Sequence, residues 1–300
     1  MRGWSAVLAL TLTAAAGSAE AESEGPAAGV DVFASSDADD TAVAKIGLNL
    51  DWRWAGPDDH QGLRVETVRF RPLGGDGVDD LRVYYQFADQ TTDWVWKARL
   101  GTDGDTLLGA INLRDRSYRT EVFAEREIIE TPQGLMRGLY YTFVGAASDI
   151  RLGGRSNLAI VGAVQAFTGR NERLHLRGNL VRELGEDWGL TAQIRARYFH
   201  STRPGEFDYF SPRDHVQVMP TLQVRRRLNG WRYTVAAGLG AQRQTGGRWR
   251  SARALNAEIA SPATAAGWSF NSTVAYSDTP TGAGYTYEYR QVSVALTRAF

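Results

Sequence analysis

The stretch Trp188-Gly189-Leu190-Thr191-Ala192-Gln193-Ile194-Arg195-Ala196-Arg197-Tyr198 alternates without a break. Trp188, Leu190, Ala192, Ile194, Ala196 and Tyr198 fall on one side, and Thr191, Gln193, Arg195 and Arg197 on the other. Successive side chains of a strand point to opposite faces, so this spacing predicts a strand with one apolar face and one polar, cationic face. Beyond the loop 199–214 the pattern returns, with Val216, Val218, Leu222 and Val224 opposing His215, Gln217, Thr221, Gln223 and Arg225. Asn229-Gly230 then gives a hairpin signal, because both central residues of a type I′ turn need φ > 0. The next strand sets Trp231, Tyr233, Val235, Ala237 and Leu239 against Arg232, Thr234, Ala236, Gly238, Gly240 and Gln242. Three consecutive antiparallel strands, apolar outside and polar inside, are the pattern of a transmembrane β-barrel.

The same alternation extends in both directions. Ala42, Ala44, Ile46, Leu48, Leu50, Trp52 and Trp54 oppose Lys45, Asn49, Asp51 and Arg53. Leu81, Val83, Tyr85 and Phe87 oppose Arg82, Tyr84 and Gln86, and Trp94, Trp96, Ala98 and Leu100 oppose Asp93, Lys97 and Arg99. Tyr118, Val122 and Ala124 face away from Arg119, Glu121, Glu125 and Glu127. In 62–71 Leu63 and Val65 are in one phase and Val68 and Phe70 in the other, which predicts a bulge near Thr67. The count comes to sixteen strands, with fourteen as the competitor because 62–71 and 138–168 are weakly patterned. The expected fold is an all-β, antiparallel up-and-down transmembrane barrel.

An even count puts both ends of such a barrel in the periplasm. Turns after even strands, including Asn229-Gly230 and those at 185–187 and 115–117, should then be periplasmic. The loops 73–79, 129–138 and 199–214 should be extracellular. The segment 147–156 breaks the rule as a long periplasmic turn. Trp52, Trp54, Trp94, Trp96, Trp188, Trp231 and Trp268 all sit on the apolar phase beside turns read as periplasmic, which predicts an aromatic girdle at one interface.

Composition agrees with this architecture. The 300 residues include 32 glycines, nine tryptophans and twelve tyrosines but no cysteine, so no disulfide framework holds the fold. Thirty-four basic and 34 acidic residues cancel, which gives no basis for nucleic-acid binding by bulk charge. Arg2, the apolar Ala6–Ala16 run and Ala19-Glu20-Ala21 read as a secretory signal, placing a signal peptide at 1–21 and the barrel at 22–300. The expected location is therefore the bacterial outer membrane, among lipid and lipopolysaccharide.

Phe207-Asp208-Tyr209-Phe210-Ser211-Pro212, followed by a strand, Asn-Gly and Trp231-Arg232-Tyr233, resembles the barrel domain of bacterial exopolysaccharide exporters. The outer-membrane subunit of cellulose secretion and the poly-N-acetylglucosamine export porin are the types it looks like, over roughly 125–300. The resemblance implies a sixteen-stranded barrel and passage of a glycan. Those exporters carry tetratricopeptide repeats ahead of the barrel and this chain has none, so it implies either a separate periplasmic repeat protein or a small relative with another task. Phe300, with Leu296, Val294 and Val292 behind it, resembles the C-terminal signal that such barrels present to their insertion machinery. Arg298 departs from it.

The candidate solute contacts fall in two groups. Phe207, Tyr209 and Phe210 could stack on sugar rings and Asp208 could bind hydroxyls, as could an anchored or inward-folded loop with no solute role. On the inward face, Arg119, Glu121, Arg177, Gln193, Arg195, Arg197, Gln217, Gln223 and Arg225 form either a path for solute or the ordinary ion-paired filling of a lumen. Arg226, on the apolar phase near Asn229-Gly230, is expected to snorkel to headgroups. None of the four histidines stands in a catalytic motif, and the neighbours His200 and Ser201 should diverge. No motif suggests a metal or cofactor. The reading is a non-enzymatic export channel for a polysaccharide. A non-conducting adhesion or structural barrel is the second reading, and a lipid-modifying enzyme the third.

Overall fold

The structure is a computed structural model that describes residues 25–37, 41–72, 76–280 and 286–300. The expected signal peptide lies outside the described residues, as do parts of the turns at 38–40 and 73–75. The first half of the chain forms β1 (Gly25–Asp37), β2 (Ala42–Gly56), β3 (Asp59–Arg71), β4 (Val78–Gln90), β5 (Trp94–Thr102), β6 (Leu107–Asp115), β7 (Thr120–Ile128) and β8 (Tyr140–Gly153). The second half forms β9 (Ser156–Phe167), β10 (Glu172–Gly185), β11 (Leu190–Ser201), β12 (Asp214–Leu228), β13 (Trp231–Gln244), β14 (Arg250–Ala260), β15 (Trp268–Pro280) and β16 (Thr286–Ala299). One short helix, α1 (Pro132–Arg137), lies between β7 and β8.

Among the described residues every strand pairs antiparallel with its sequence neighbours, and β1 closes on β16. Sixteen strands therefore make one closed barrel, as the alternation predicts. Closure leaves no unpaired edge, which satisfies the backbone inside a membrane without disulfides. The seam runs in register from Ala27 opposite Ala299 to Asp37 opposite Tyr289, and the Phe300 amide adds a bond to the Pro26 carbonyl at 2.9 Å.

The outer surface is apolar and exposed. Leu50, Leu222 and Leu239 are 63%, 57% and 66% accessible, whereas the inward Arg82 is 0%. That inversion of a soluble protein's pattern marks a surface that lipid covers. Trp52, Trp94, Trp96, Trp188 and Trp268 are exposed at the end of the barrel that holds the chain termini. Arg226 lies over the Trp188 ring at 4.9 Å at the same end of the barrel. Arg298 sits over Trp268 at 5.4 Å and Phe300 at 4.8 Å, so its cation is accommodated by interfacial aromatic rings.

Four local expectations are corrected. Pairing of β3 with both neighbours is continuous through Thr67, so no bulge lies there. Val68 and Phe70 face inward because the lumen itself becomes apolar at that level, where they cluster with Val43. The irregularity falls instead between Asp51 and Arg53, and it sets Trp54 opposite His60, with ring centroids 5.3 Å apart, out of phase with Trp52. The segment 147–156 is not a long turn. β8 and β9 run on to a two-residue connection, Gly154-Arg155, with φ of 53° and 73°. Finally, Tyr118 and Arg119 belong to the turn before β7, and Tyr118 packs under Arg114 at 4.5 Å.

Candidate functional site

The lumen is divided into three sectors by the order of the strands. In the first, β1–β8, acids and bases meet directly. Arg64 binds Asp31 Oδ2 at 2.7 Å and Glu66 Oε2 at 2.6 Å. Arg82, fully buried, binds Asp80 at 2.7 Å and Glu127 at 2.9 Å and lies 3.7 Å from Glu66. The strand neighbours β5–β7 are only nine residues long, and the Arg82–Glu127 bond spans from β4 to β7. Near the terminal end, Asp58 in the β2–β3 turn takes Lys97 at 2.5 Å and Arg114 at 2.7 Å. Burial acts to raise the Asp58 carboxyl, but those two cations prevail and hold it below the usual carboxylate range.

The second sector, β10–β12, is cationic. Register places Arg177 opposite Arg197, Arg195 opposite Asn179, and Arg197 opposite Gln217. Arg195 Nε donates to Gln193 Oε1 at 2.9 Å. Aromatic rings carry the sector toward the loop end, where the Arg173 guanidinium lies 4.5 Å from the Phe199 ring centroid and 5.0 Å from that of Phe167. Phe199 stacks on His215 at 5.0 Å. The third sector, β13–β16, mixes small side chains with larger polar ones such as Gln242, Gln291 and the Arg232–Glu258 pair at 2.8 Å. Gly238, Ala252, Ala254, Asn256, Thr273 and Ser293 fall on its inward phase.

At the loop end, two segments fold over the mouth and hold each other. Thr131 caps α1, accepting from the Gly134 amide at 3.1 Å, and Pro132 and Gly138 bound the helix. Thr131 Oγ1 donates to Asp208 Oδ1 at 2.6 Å, and the Gln133 amide donates to Asp208 Oδ2 at 2.8 Å. Asp208 thus ties loop 202–213 to loop 129–139. Leu135 carries the second loop onto Val43, Val68 and Phe70 of β2 and β3, and Lys45 meets Glu130 at 3.4 Å. On the other side, Glu206 accepts from the Arg170 and Asn171 amides at 2.9 and 2.8 Å. Asn171 donates to the Tyr209 hydroxyl at 2.9 Å, and Tyr209 stacks on Phe167 at 4.4 Å. Burial pushes the Tyr209 phenol up, against the Asn171 bond that lowers it. The result is one chain of contacts from the β9–β10 turn to the β2–β3 wall, which forms a lid.

The candidate residues therefore separate. Gln193, Arg195, Arg197, Gln217, Gln223, Arg177 and Arg225 come together on the inner face of β10–β12. Glu121 lies on β7, separated from β10 by two strands and bonded by Asn112, and Arg119 stands in a turn. Asp208, Tyr209 and Phe210 are engaged in the lid, Phe210 through its carbonyl to Arg173 at 2.5 Å, and Phe207 lies beside Tyr209 and Arg137. His200 and Ser201 split across β11: His200 bonds Asp214 at 2.9 Å, and Ser201 accepts from Arg173 at 3.2 Å. The residues that sequence reasoning missed are Thr131 and Asn171. Thr131-Pro132 with Gly138 six residues later is a helix start and stop signal that could have revealed α1.

No family model matches the chain, and no curated protein matches it. Among solved structures it is similar to a bacterial polysaccharide outer membrane secretin, with a TM-score of 0.64 and 12% identity over 91% of this chain and 98% of that one. The fold is that of an outer-membrane β-barrel. Other structural neighbours include Pseudomonas aeruginosa OprD, at a TM-score of 0.48 and 10% identity over 94% of this chain and 98% of that one. At such identities the likeness concerns architecture.

Proposed function

We propose that this protein is an exit channel for a polysaccharide in the bacterial outer membrane. The observation that carries the reading is a closed sixteen-strand barrel whose inner face is lined largely by charged and amide side chains, with the small Gly238, Ala252 and Ala254 on one wall. Barrels of this strand number enclose an aqueous path when it is not filled. The likeness in fold to a barrel described as a polysaccharide secretin favours a glycan as the solute. In this reading the terminal end faces the periplasm, where a separate repeat protein would deliver the chain. The inward groups of β10–β12 guide it, and Phe207, Tyr209 and Phe210 meet it once the lid opens. The strand ending in Phe300 engages the insertion machinery, and lipopolysaccharide surrounds the loop end.

One observation favours the second reading, a non-conducting surface barrel: the lid is bonded shut across the mouth. Single-channel conductance in planar bilayers, for the intact protein and for a variant lacking 204–213, separates the two. Conductance in the intact protein, or only after the deletion, is the expected result for an open or lidded exporter. Silence in both, from protein shown to be folded and inserted, refutes the channel.

A further inference from the structure

The signs of charge that alternate along the chain are segregated in space. On β1–β8, inward arginines are matched by acids, as Arg64 is by Asp31 and Glu66, and Arg82 by Asp80 and Glu127. On β10–β12 the inward phase carries Arg173, Arg177, Arg195, Arg197, Arg225 and Arg227; Glu258 of β14 acts on Arg225, and the three strands' own inward carboxylate, Glu183, is exposed near the terminal end. Arg177 and Arg197 occupy directly opposite positions, an arrangement of like charges that disfavours strand pairing. Arg173 and Arg195 donate to neutral acceptors: Ser201 Oγ, the Phe210 carbonyl and Gln193 Oε1.

We infer that the inner face of β10–β12 is a binding track for a polyanionic glycan, one bearing carboxylates along its length. This rests on the channel reading and names its solute class. Guanidinium forks bind carboxylates through paired hydrogen bonds, and the interleaved amides of Gln193, Gln217 and Gln223 suit sugar hydroxyls. The track ends at the buried Arg173 and the Phe199–His215 stack, which close it off beneath the lid.

The test is equilibrium binding to the folded barrel in detergent, which does not depend on conduction. Labelled oligogalacturonate is compared with a neutral cello-oligosaccharide of equal length. The acidic oligomer should bind roughly tenfold or more tightly, and the preference should fall as salt screens the charges. Arg195→Gln with Arg197→Gln should remove roughly tenfold of that affinity, whereas Arg69→Gln, on the outer face beside Asp79, should leave it unchanged. Equal binding of both oligomers, or equal loss from Arg69→Gln, overturns the inference. A barrel that conducts but fails this test is a channel for another solute. One that passes it without conducting keeps the track and loses the channel.

Discussion

The Asp208 clasp gives the sharpest prediction. Asp208→Ala removes the acceptor for Thr131 Oγ1 and for the Gln133 amide. Hydrogen bonds to a charged acceptor contribute about 1.5–3 kcal/mol each. Asp208 is half-buried and water can replace part of what is lost, so a net cost of about 3 kcal/mol on the closed lid is the working figure. At 1.4 kcal/mol per factor of ten, that raises the open-to-closed ratio about 100-fold. Thr131→Val should remove one of the two bonds and also the α1 cap, and the double variant should cost less than the two singles summed, because they share a bond. The assay is open probability in single-channel records, with proteolysis at 202–213 as a second readout of lid exposure. The lid needs no conduction to be tested by the protease. If open probability and cleavage rate both stay within twofold of the parent (a shift of about 0.4 kcal/mol) in a folded variant, the clasp does not hold the lid.

Other perturbations follow from single contacts. Arg82→Ala leaves Glu127 and Asp80 without their buried cation and should lower unfolding stability by about 3–5 kcal/mol in urea titrations. Arg298→Ala removes a cation packed against Trp268 and Phe300, and should cost about 1 kcal/mol in the same assay. A methyl at Gly145 would stand 2.5 Å from Phe123 Cζ and 2.6 Å from Ala163 Cβ, so Gly145→Ala should destabilise by about 1–3 kcal/mol. Because the Asp58 carboxyl is held below its usual range in the folded state, its stabilisation is present above the unfolded value and is lost as pH falls through the folded one. Stability should therefore decline on acidification below the ordinary carboxylate range, with Asp58→Asn showing a smaller decline. An unchanged pH profile in Asp58→Asn would count against this role.

Alternation made the fold legible because a barrel wall has only two faces, one against lipid and one against water. It misled where the lumen ceased to be watery. Val68 and Phe70 read as a phase slip, yet they face inward under Leu135, a contact from a loop some sixty residues away in the chain and so invisible to local pattern. The cationic sector was within reach, since neighbouring strands are neighbours in sequence and 173–225 contains little else of charge on its inward phase. The pairings Arg82–Glu127 and Lys45–Glu130 were not within reach. They cut across the curve of the barrel, and alternation says nothing of curvature. The sequence offers an inward-folded 199–214 loop but not the loop it grips, because the binding groups, Thr131 and Asp208, are seventy-seven positions apart.

The β1–β16 seam has a consequence for assembly. Every other pairing joins segments separated by a turn or a loop, so hairpins can zip one after another with little entropy lost at each step. The seam joins the two ends of the whole sheet and can form only when fifteen strands already stand in order. Its register must be found without a connecting turn to set it. A slip of one residue would turn the Val292, Val294 and Leu296 row to the water and the Ser293 and Thr297 row to the lipid relative to β1. No connecting turn fixes this register, so Val30, Val32 and Ala34, paired with Leu296, Val294 and Val292, are the teeth that set it.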